Sequence, residues 1–241
     1  MRIFLAGASG VIGRRLVPLL LGAGHTVVGT TRSQEKAEEL KASCVEPVVV
    51  DVFDADSLLE FAAWARPDAV IHQLTDLPDV IDPARLAEVL ARNSRLRIEG
   101  TSNLVAAARA AGARRLIAQS IAFADADGPE PHAETDPLNI AEGETPGAIT
   151  ARGVRALEDE VLNAPGIEGV VLRYGRLYGS GTWNTPNGRA PLYVDAAAHA
   201  ALLALSRGAP GIYNIAEDDG AVSIEKARKD LGFDPAFRLE A

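Results

Sequence analysis

Seven residues near the start of the chain carry its clearest chemistry: Gly7-Ala8-Ser9-Gly10-Val11-Ile12-Gly13. They follow the apolar run Arg2–Ala6 and open an apolar-periodic stretch, so they join a strand to a helix. Gly7 permits a tight turn, Gly10 lets backbone approach a pyrophosphate, and Gly13 lets the helix pack closely on the strand. The amides along Ser9, Val11 and Ile12, at the positive helix end, would face the phosphates. That spacing predicts a dinucleotide site.

The end of the second strand selects the nucleotide. NAD-binding chains place an acid about 20 residues after the glycines, to hold the ribose 2′-hydroxyl. Here that place reads Gly29-Thr30-Thr31-Arg32-Ser33, with no acid before Glu35. Arg32 can pair with a 2′-phosphate through its planar fork, Ser33 can add a hydroxyl, and Arg14 adds charge nearby. The expected cofactor is therefore NADP rather than NAD.

These residues need a scaffold that brings strand ends to one edge. Short β-branched runs alternate with longer helical patterns, the signature of parallel βαβ units. Strands are predicted at Arg2–Ala6, Thr26–Gly29, Pro47–Val50, Ala69–His72, Arg115–Gln119 and Gly169–Leu172, with helices at about 11–22, 33–41, 56–65, 82–111 and 150–163. Right-handed crossovers then give an α/β, Rossmann-type doubly wound parallel sheet with its crevice at the carboxyl strand ends. Pro18 predicts a kink in the first helix. Ala124–Gly147 and Gly175–Pro191 read as irregular, the first as a long acidic loop of a functional or mobile kind.

Bulk properties bound the rest. The 241 residues suit one domain, read as a core over 1–173 and a reduced substrate-binding portion over 174–241. A net charge of −9 and the lack of a basic stripe argue against nucleic-acid and membrane-surface binding. Mean hydropathy is +0.05, and no apolar run approaches the roughly 20 residues of a membrane span. The N-terminal strand has no secretory pattern, so a cytoplasmic location is expected. The single cysteine, Cys44, excludes an internal disulfide and is read as a small apolar residue. His25, His72, His132 and His199 lack metal-ligand spacing, and the acids Asp125, Asp127, Glu130, Glu134 and Asp136 read as a solvated loop, so no metal is expected.

In these features the chain resembles the extended, or atypical, short-chain dehydrogenase/reductase superfamily, often labelled NAD-dependent epimerase/dehydratase. The matching segments run in order: the glycine loop, Asp51-Val52, Val70-Ile71-His72-Gln73-Leu74-Thr75, Gly100-Thr101-Ser102-Asn103-Leu104, Ala118-Gln119-Ser120, Leu172-Arg173-Tyr174-Gly175-Arg176-Leu177-Tyr178-Gly179, Val194-Asp195 and Gly211-Ile212-Tyr213-Asn214-Ile215. The resemblance implies adenine contacts at Asp51 and Val52. It puts Leu74 and Thr75 beside the nicotinamide ribose and gives Ser120 a place in the catalytic set. It also implies a homodimer paired through the helices at 82–111 and 150–163.

The departures bear on mechanism. The superfamily's acid/base is a Tyr followed four residues later by a Lys, the ammonium lowering the phenol pKa. Here the stretch reads Ala148-Ile149-Thr150-Ala151-Arg152-Gly153-Val154-Arg155; every tyrosine lies at or beyond 174, and the lysines are Lys36, Lys41, Lys226 and Lys229. Arg152 and Arg155 are read as solvated helix cations near Glu158 and Glu160. Arg97 stands where relatives carry Asn and is given no role. The expected function is an NADP-dependent oxidoreductase or epimerase-like enzyme acting on a small carbonyl or alcohol. Ser120 would polarise the oxygen, and Tyr174, Tyr178 or water would supply the proton. The alternatives are an NADP-binding sensor or partner-binding protein without turnover, and non-redox dehydration or cyclisation. Tyr178 and Trp183 are candidate walls of a substrate pocket.

Overall fold

The computed structural model describes residues 1–78, 82–140, 143–182, 185–186 and 188–239. Strands β1 (Arg2–Ala6), β2 (Thr26–Thr31), β3 (Glu46–Val49), β4 (Ala69–His72), β5 (Arg115–Ile121), β6 (Glu168–Tyr174) and a late strand, Gly211–Ile215, form one sheet. All six pairings in that sheet are parallel. Two short strands, β7 (Arg176–Tyr178) and β8 (Pro191–Tyr193), pair separately, which makes the late strand β9. The large sheet runs β3-β2-β1-β4-β5-β6-β9. Its order reverses at β1, so the crevice opens between the ends of β1 and β4.

Alternation along the strands divides the core. Ile3 and Leu5 pack with helix α1 (Val11–Gly22) and helix α7 (Val194–Leu203) on one face. Phe4 and Ala6 pack on the other with α3 (Ala55–Ala65), α5 (Thr101–Ala110) and α6 (Pro146–Leu162). Helix α2 is Gln34–Ala42. Helix α1 runs through Pro18.

Several boundaries differ from the sequence reading, each for a local reason. Helix α6 begins at Pro146 because the Thr145 hydroxyl accepts the Ala148 N–H at 3.3 Å and proline suits the first helical position. The expected helix over 82–111 is interrupted. A short turn (Pro83–Arg85) and α4 (Leu86–Arg95) lead into a π-turn, Leu96–Gly100, before α5. Strand β6 runs on through Tyr174, and β9 adds to its free edge.

The acidic loop is tied down rather than free in solvent. The His132 N–H donates to the Ala221 carbonyl at 3.0 Å, and the Asn214 N–H donates to Glu134 Oε1 at 2.9 Å. Asp125, expected to be solvated, is buried against Arg173. Cys44 is also corrected: it is exposed, in a left-handed turn at φ 60° between α2 and β3. Trp183 lies outside the described residues. Among the described residues, no helix is long and apolar enough to cross a membrane, and no group of three His, Cys, Asp or Glu side chains could hold a metal.

Candidate cofactor and reaction site

The glycine loop has the geometry its spacing predicts. Gly7 sits at φ +89°, and a Cβ there would meet the Gln73 carbonyl oxygen at 2.9 Å. A Cβ on Gly13 would fall 2.2 Å from the Gly7 carbonyl oxygen, so helix and strand touch through backbone alone. Gly10 differs: it is exposed, and a Cβ would approach only the Gly7 oxygen, at 3.3 Å. It begins α1 with no side-chain cap and no acid in the first turn, so the amides of that turn stay open to an anion.

Neighbouring hydroxyls brace this edge. The Gly7 N–H donates to Thr30 Oγ1 at 3.3 Å, and the Ser9 hydroxyl bonds Thr31 Oγ1 at 3.2 Å. The Ser33 hydroxyl caps α2, accepting the Lys36 N–H at 3.4 Å, which leaves its own hydrogen free for a second partner. Arg32 is exposed and lines a cleft of about 240 Å³ with Val49, Val50, Asp51, Asp54 and Ser57. Its guanidinium lies 3.8 Å from Asp76, an acid beyond β4 that sequence reasoning did not weigh. Val52 is buried, and its carbonyl accepts a hydrogen bond from Asn103 Nδ2 at 2.9 Å. The glycine cradle, the uncapped helix end and this cleft share one edge, and together they fit a dinucleotide.

At the end of β4, His72 is fully buried. The Leu74 N–H donates to Nδ1 at 3.2 Å, so Nε2 carries the proton and donates to Thr101 Oγ1 at 3.1 Å. Burial, with a smaller contribution from the Arg97 charge, pushes the imidazole down to about 4. Leu74 is half-buried beside it, and Thr75 is exposed.

This sets a pH dependence. The unfolded imidazole takes up its proton near 6.5 and the folded one only near 4, so the unfolded state binds more protons between those values. Stability is therefore retained above pH 6.5 and falls as the pH drops toward 4, by up to about 3 kcal/mol. Urea unfolding of His72→Gln should lose about 2 kcal/mol less than wild type between pH 7.5 and 5. Equal pH slopes would contradict the assignment of a neutral histidine.

Ser120 stands next to Arg173 in the β5–β6 register. Its hydroxyl donates to Glu158 Oε1 at 2.9 Å, and Ser120 is 1% exposed. Glu158, on α6, also accepts Arg173 Nε at 2.8 Å on the same oxygen and Nη2 at 2.8 Å on the other. Arg173 Nη1 reaches Asp125 at 3.4 Å, and burial pushes that carboxyl up against the pull of Arg173. Ser120 is thus held by a buried charge network and does not present its hydrogen to an open pocket. Arg155 is exposed, and Arg152 pairs with Glu144 at 3.0 Å; neither reaches Glu158.

The two tyrosines part company. Tyr174 is 1% exposed, accepts from Gln73 Nε2 at 3.3 Å and donates to the Ala197 carbonyl at 3.1 Å. Burial drives its ionisation far above the ordinary phenol value, so it packs the core behind the sheet and delivers no proton. Tyr178, on β7, is half-buried; its hydroxyl donates to Glu217 at 2.6 Å and accepts from Arg238 at 3.4 Å. Burial and the Glu217 carboxylate both raise its pKa. The loop after it passes close to α1: a Cβ on Gly181 would lie 3.5 Å from Arg14 Nη2.

Sequence reasoning missed Glu158 as a partner of Ser120 and Arg173. The available signal was a charge inside an apolar strand, Val170-Val171-Leu172-Arg173-Tyr174, where burial demands a counter-ion.

Comparisons with known proteins bear on the family and the fold. The model of the NAD dependent epimerase/dehydratase family matches residues 3–210. A Streptomyces protein named 3-diazoavenalumate denitrifying reductase is 43% identical over 228 residues, covering 94% of this chain and 71% of that protein. Among solved structures, UDP-glucose 4-epimerase of Thermotoga maritima, with UDP-glucose, superposes with a TM-score of 0.78 at 19% identity, over 99% of this chain and 94% of that one. UDP-glucuronic acid 4-epimerase of Bacillus cereus, in complex with NAD, gives 0.71 at 18% identity, over 99% and 94%. At such identities these structures speak for the fold alone.

Proposed function

The chain belongs to the NAD dependent epimerase/dehydratase family, and on that premise we propose that it is an NADP-dependent reductase of a small organic electrophile. The observation that carries this reading is the cradle at Gly7, Gly10 and Gly13, which leads into a helix end without a cap. Those backbone amides would hold the pyrophosphate, with Ser9, Val11 and Ile12 along the turn. Asp51 and Val52 would border the adenine, and Leu74 and Thr75 the nicotinamide ribose. Arg32 and Ser33 would take the 2′-phosphate at the mouth of the same cleft. When bound, the reduced cofactor supplies hydride.

Proton delivery is where this chain departs from its family. Helix α6 carries neither Tyr nor Lys, Tyr174 is sealed in the core, and the Ser120 hydrogen belongs to Glu158. A carbonyl acceptor would draw its proton from Tyr178 or water. An acceptor that needs no proton on oxygen suits the site better. The relative's name, a denitrifying reductase of a diazo compound, supplies such a case. Hydride arriving at a diazonium-bearing carbon forms a C–H bond as the C–N bond breaks, and its electrons leave with dinitrogen. We therefore extend the substrate reading from carbonyls to diazo compounds.

Cofactor choice has a direct check. Arg32→Asp should weaken NADPH binding about tenfold or more while leaving NADH nearly unchanged, because a charge-assisted fork becomes a repulsion. Titration of both nucleotides reads the outcome. An unchanged NADPH affinity would remove Arg32 from the site.

A further inference from the structure

Residues 93, 97 and 101 lie a turn apart along one face of the helix that follows β4. Two of them meet the β4 end: Thr101 Oγ1 accepts from His72, and Asn93 Oδ1 accepts the Asp76 N–H at 2.9 Å. Arg97 stands between them, level with the segment leading out of β4. It is 8% exposed, and among the described residues its guanidinium has neither an ion pair nor a hydrogen-bond partner. It occupies the π-turn at Leu96–Gly100, an irregularity frequent at functional sites.

Among the described residues, the groups around it leave the charge uncancelled. Glu158, the acid whose field it feels, has both oxygens filled by Ser120 and by two nitrogens of Arg173. His72 is neutral on the other side. The residue sits deep in the fold, and arginine does not shed its charge by losing its proton. A ligand anion would complete the pair.

We propose that Arg97 is the anion receptor of the reaction site, gripping a carboxylate of the substrate through its planar fork. The inference rests on the reductase reading, because it takes the β4–β5 edge to be where substrate lies. It goes further by making the substrate an organic acid held on the α5–α6 side of the sheet. The glycine cradle that would receive the cofactor's phosphates lies on the other side of β4.

The test is calorimetric titration of the NADP+-loaded protein with benzoate and cinnamate and with the matching neutral primary amides. Wild type should bind at least one carboxylate about tenfold or more tighter than its amide. Arg97→Gln should lose about ten- to a hundredfold of that affinity, with amide binding and NADP+ affinity unchanged. Arg97→Lys, which keeps the charge but not the fork, should fall in between and carries the comparison if the glutamine variant does not fold. Absence of carboxylate preference in wild type would overturn the proposal. So would an undiminished preference in Arg97→Gln, or a loss confined to NADP+. NADP+ binding, measured first, separates failure of this inference from failure of the cofactor reading.

Discussion

Replacing Gly10 by glutamate is expected to weaken NADPH binding by at least about a hundredfold while leaving thermal stability unchanged or slightly raised. The two effects separate because Gly10 carries no packing duty. A Cβ there meets only the Gly7 carbonyl oxygen, at 3.3 Å, and the residue faces solvent. A carboxylate at a helix N-terminus favours the helix by about 0.3–1 kcal/mol through the macrodipole. The same carboxylate fills the place of the phosphates and repels them, and a hundredfold loss corresponds to about 2.7 kcal/mol. Gly13→Ala gives the contrast: its Cβ would sit 2.2 Å from a carbonyl oxygen, so folding itself should suffer. A binding titration and a melting curve on each variant separate the two cases. Wild-type NADPH affinity in Gly10→Glu would contradict the placement of the pyrophosphate.

The second large effect lies in the buried ion pair. Glu158→Leu leaves Arg173, 3% exposed, without the carboxylate that holds it at 2.8 Å, and should cost about 3–5 kcal/mol. The double variant Glu158→Leu/Arg173→Met removes both charges and should recover a large part of that loss. Urea midpoints of the wild type, both single variants and the double variant give the coupling directly. A cost below about 1 kcal/mol for Glu158→Leu would show that the pair does not organise the site. The same variant frees the Ser120 hydrogen, so any new carbonyl reduction in it would place Ser120 beside the substrate.

The turn geometry of the glycine loop was legible because its constraints are local. Three glycines at fixed spacing and a strand before a helix all sit within a few residues, and each follows from backbone sterics. The parallel sheet was readable for a similar reason: strands covered on both faces carry apolar runs, as at Ala69–Ile71 and Leu116–Ala118.

The reaction half depends on contacts distant in sequence. Ser120 meets Glu158 across 38 residues, and Tyr174 meets Gln73 across 101, so neither role could be read from composition or spacing. Tyr174 looked like a proton donor by residue type, yet burial makes it a core residue. The Thr145-Pro146 start of α6 follows capping rules but lies among the acids and prolines of the preceding loop, which mask it. The π-turn that carries Arg97 left no propensity signal; at its end Gly100 packs against Val52, where a Cβ would lie 3.0 Å from Cγ1.

The central claim is hydride transfer from a bound NADPH at a site without the Tyr/Lys pair. It is tested most directly by incubating the protein with NADPH deuterated at C4 of the nicotinamide, on either face, and a panel of aryl carboxylates bearing a ketone, an aldehyde or a diazonium group. Mass spectrometry of the products reads the label. The account predicts enzyme-dependent transfer of one deuterium to carbon in at least one acceptor, from one face of the cofactor only, and abolished by Gly10→Glu. Tight NADPH binding with no label transferred to any acceptor above the enzyme-free control would contradict it, and would leave a protein that holds the cofactor without using it.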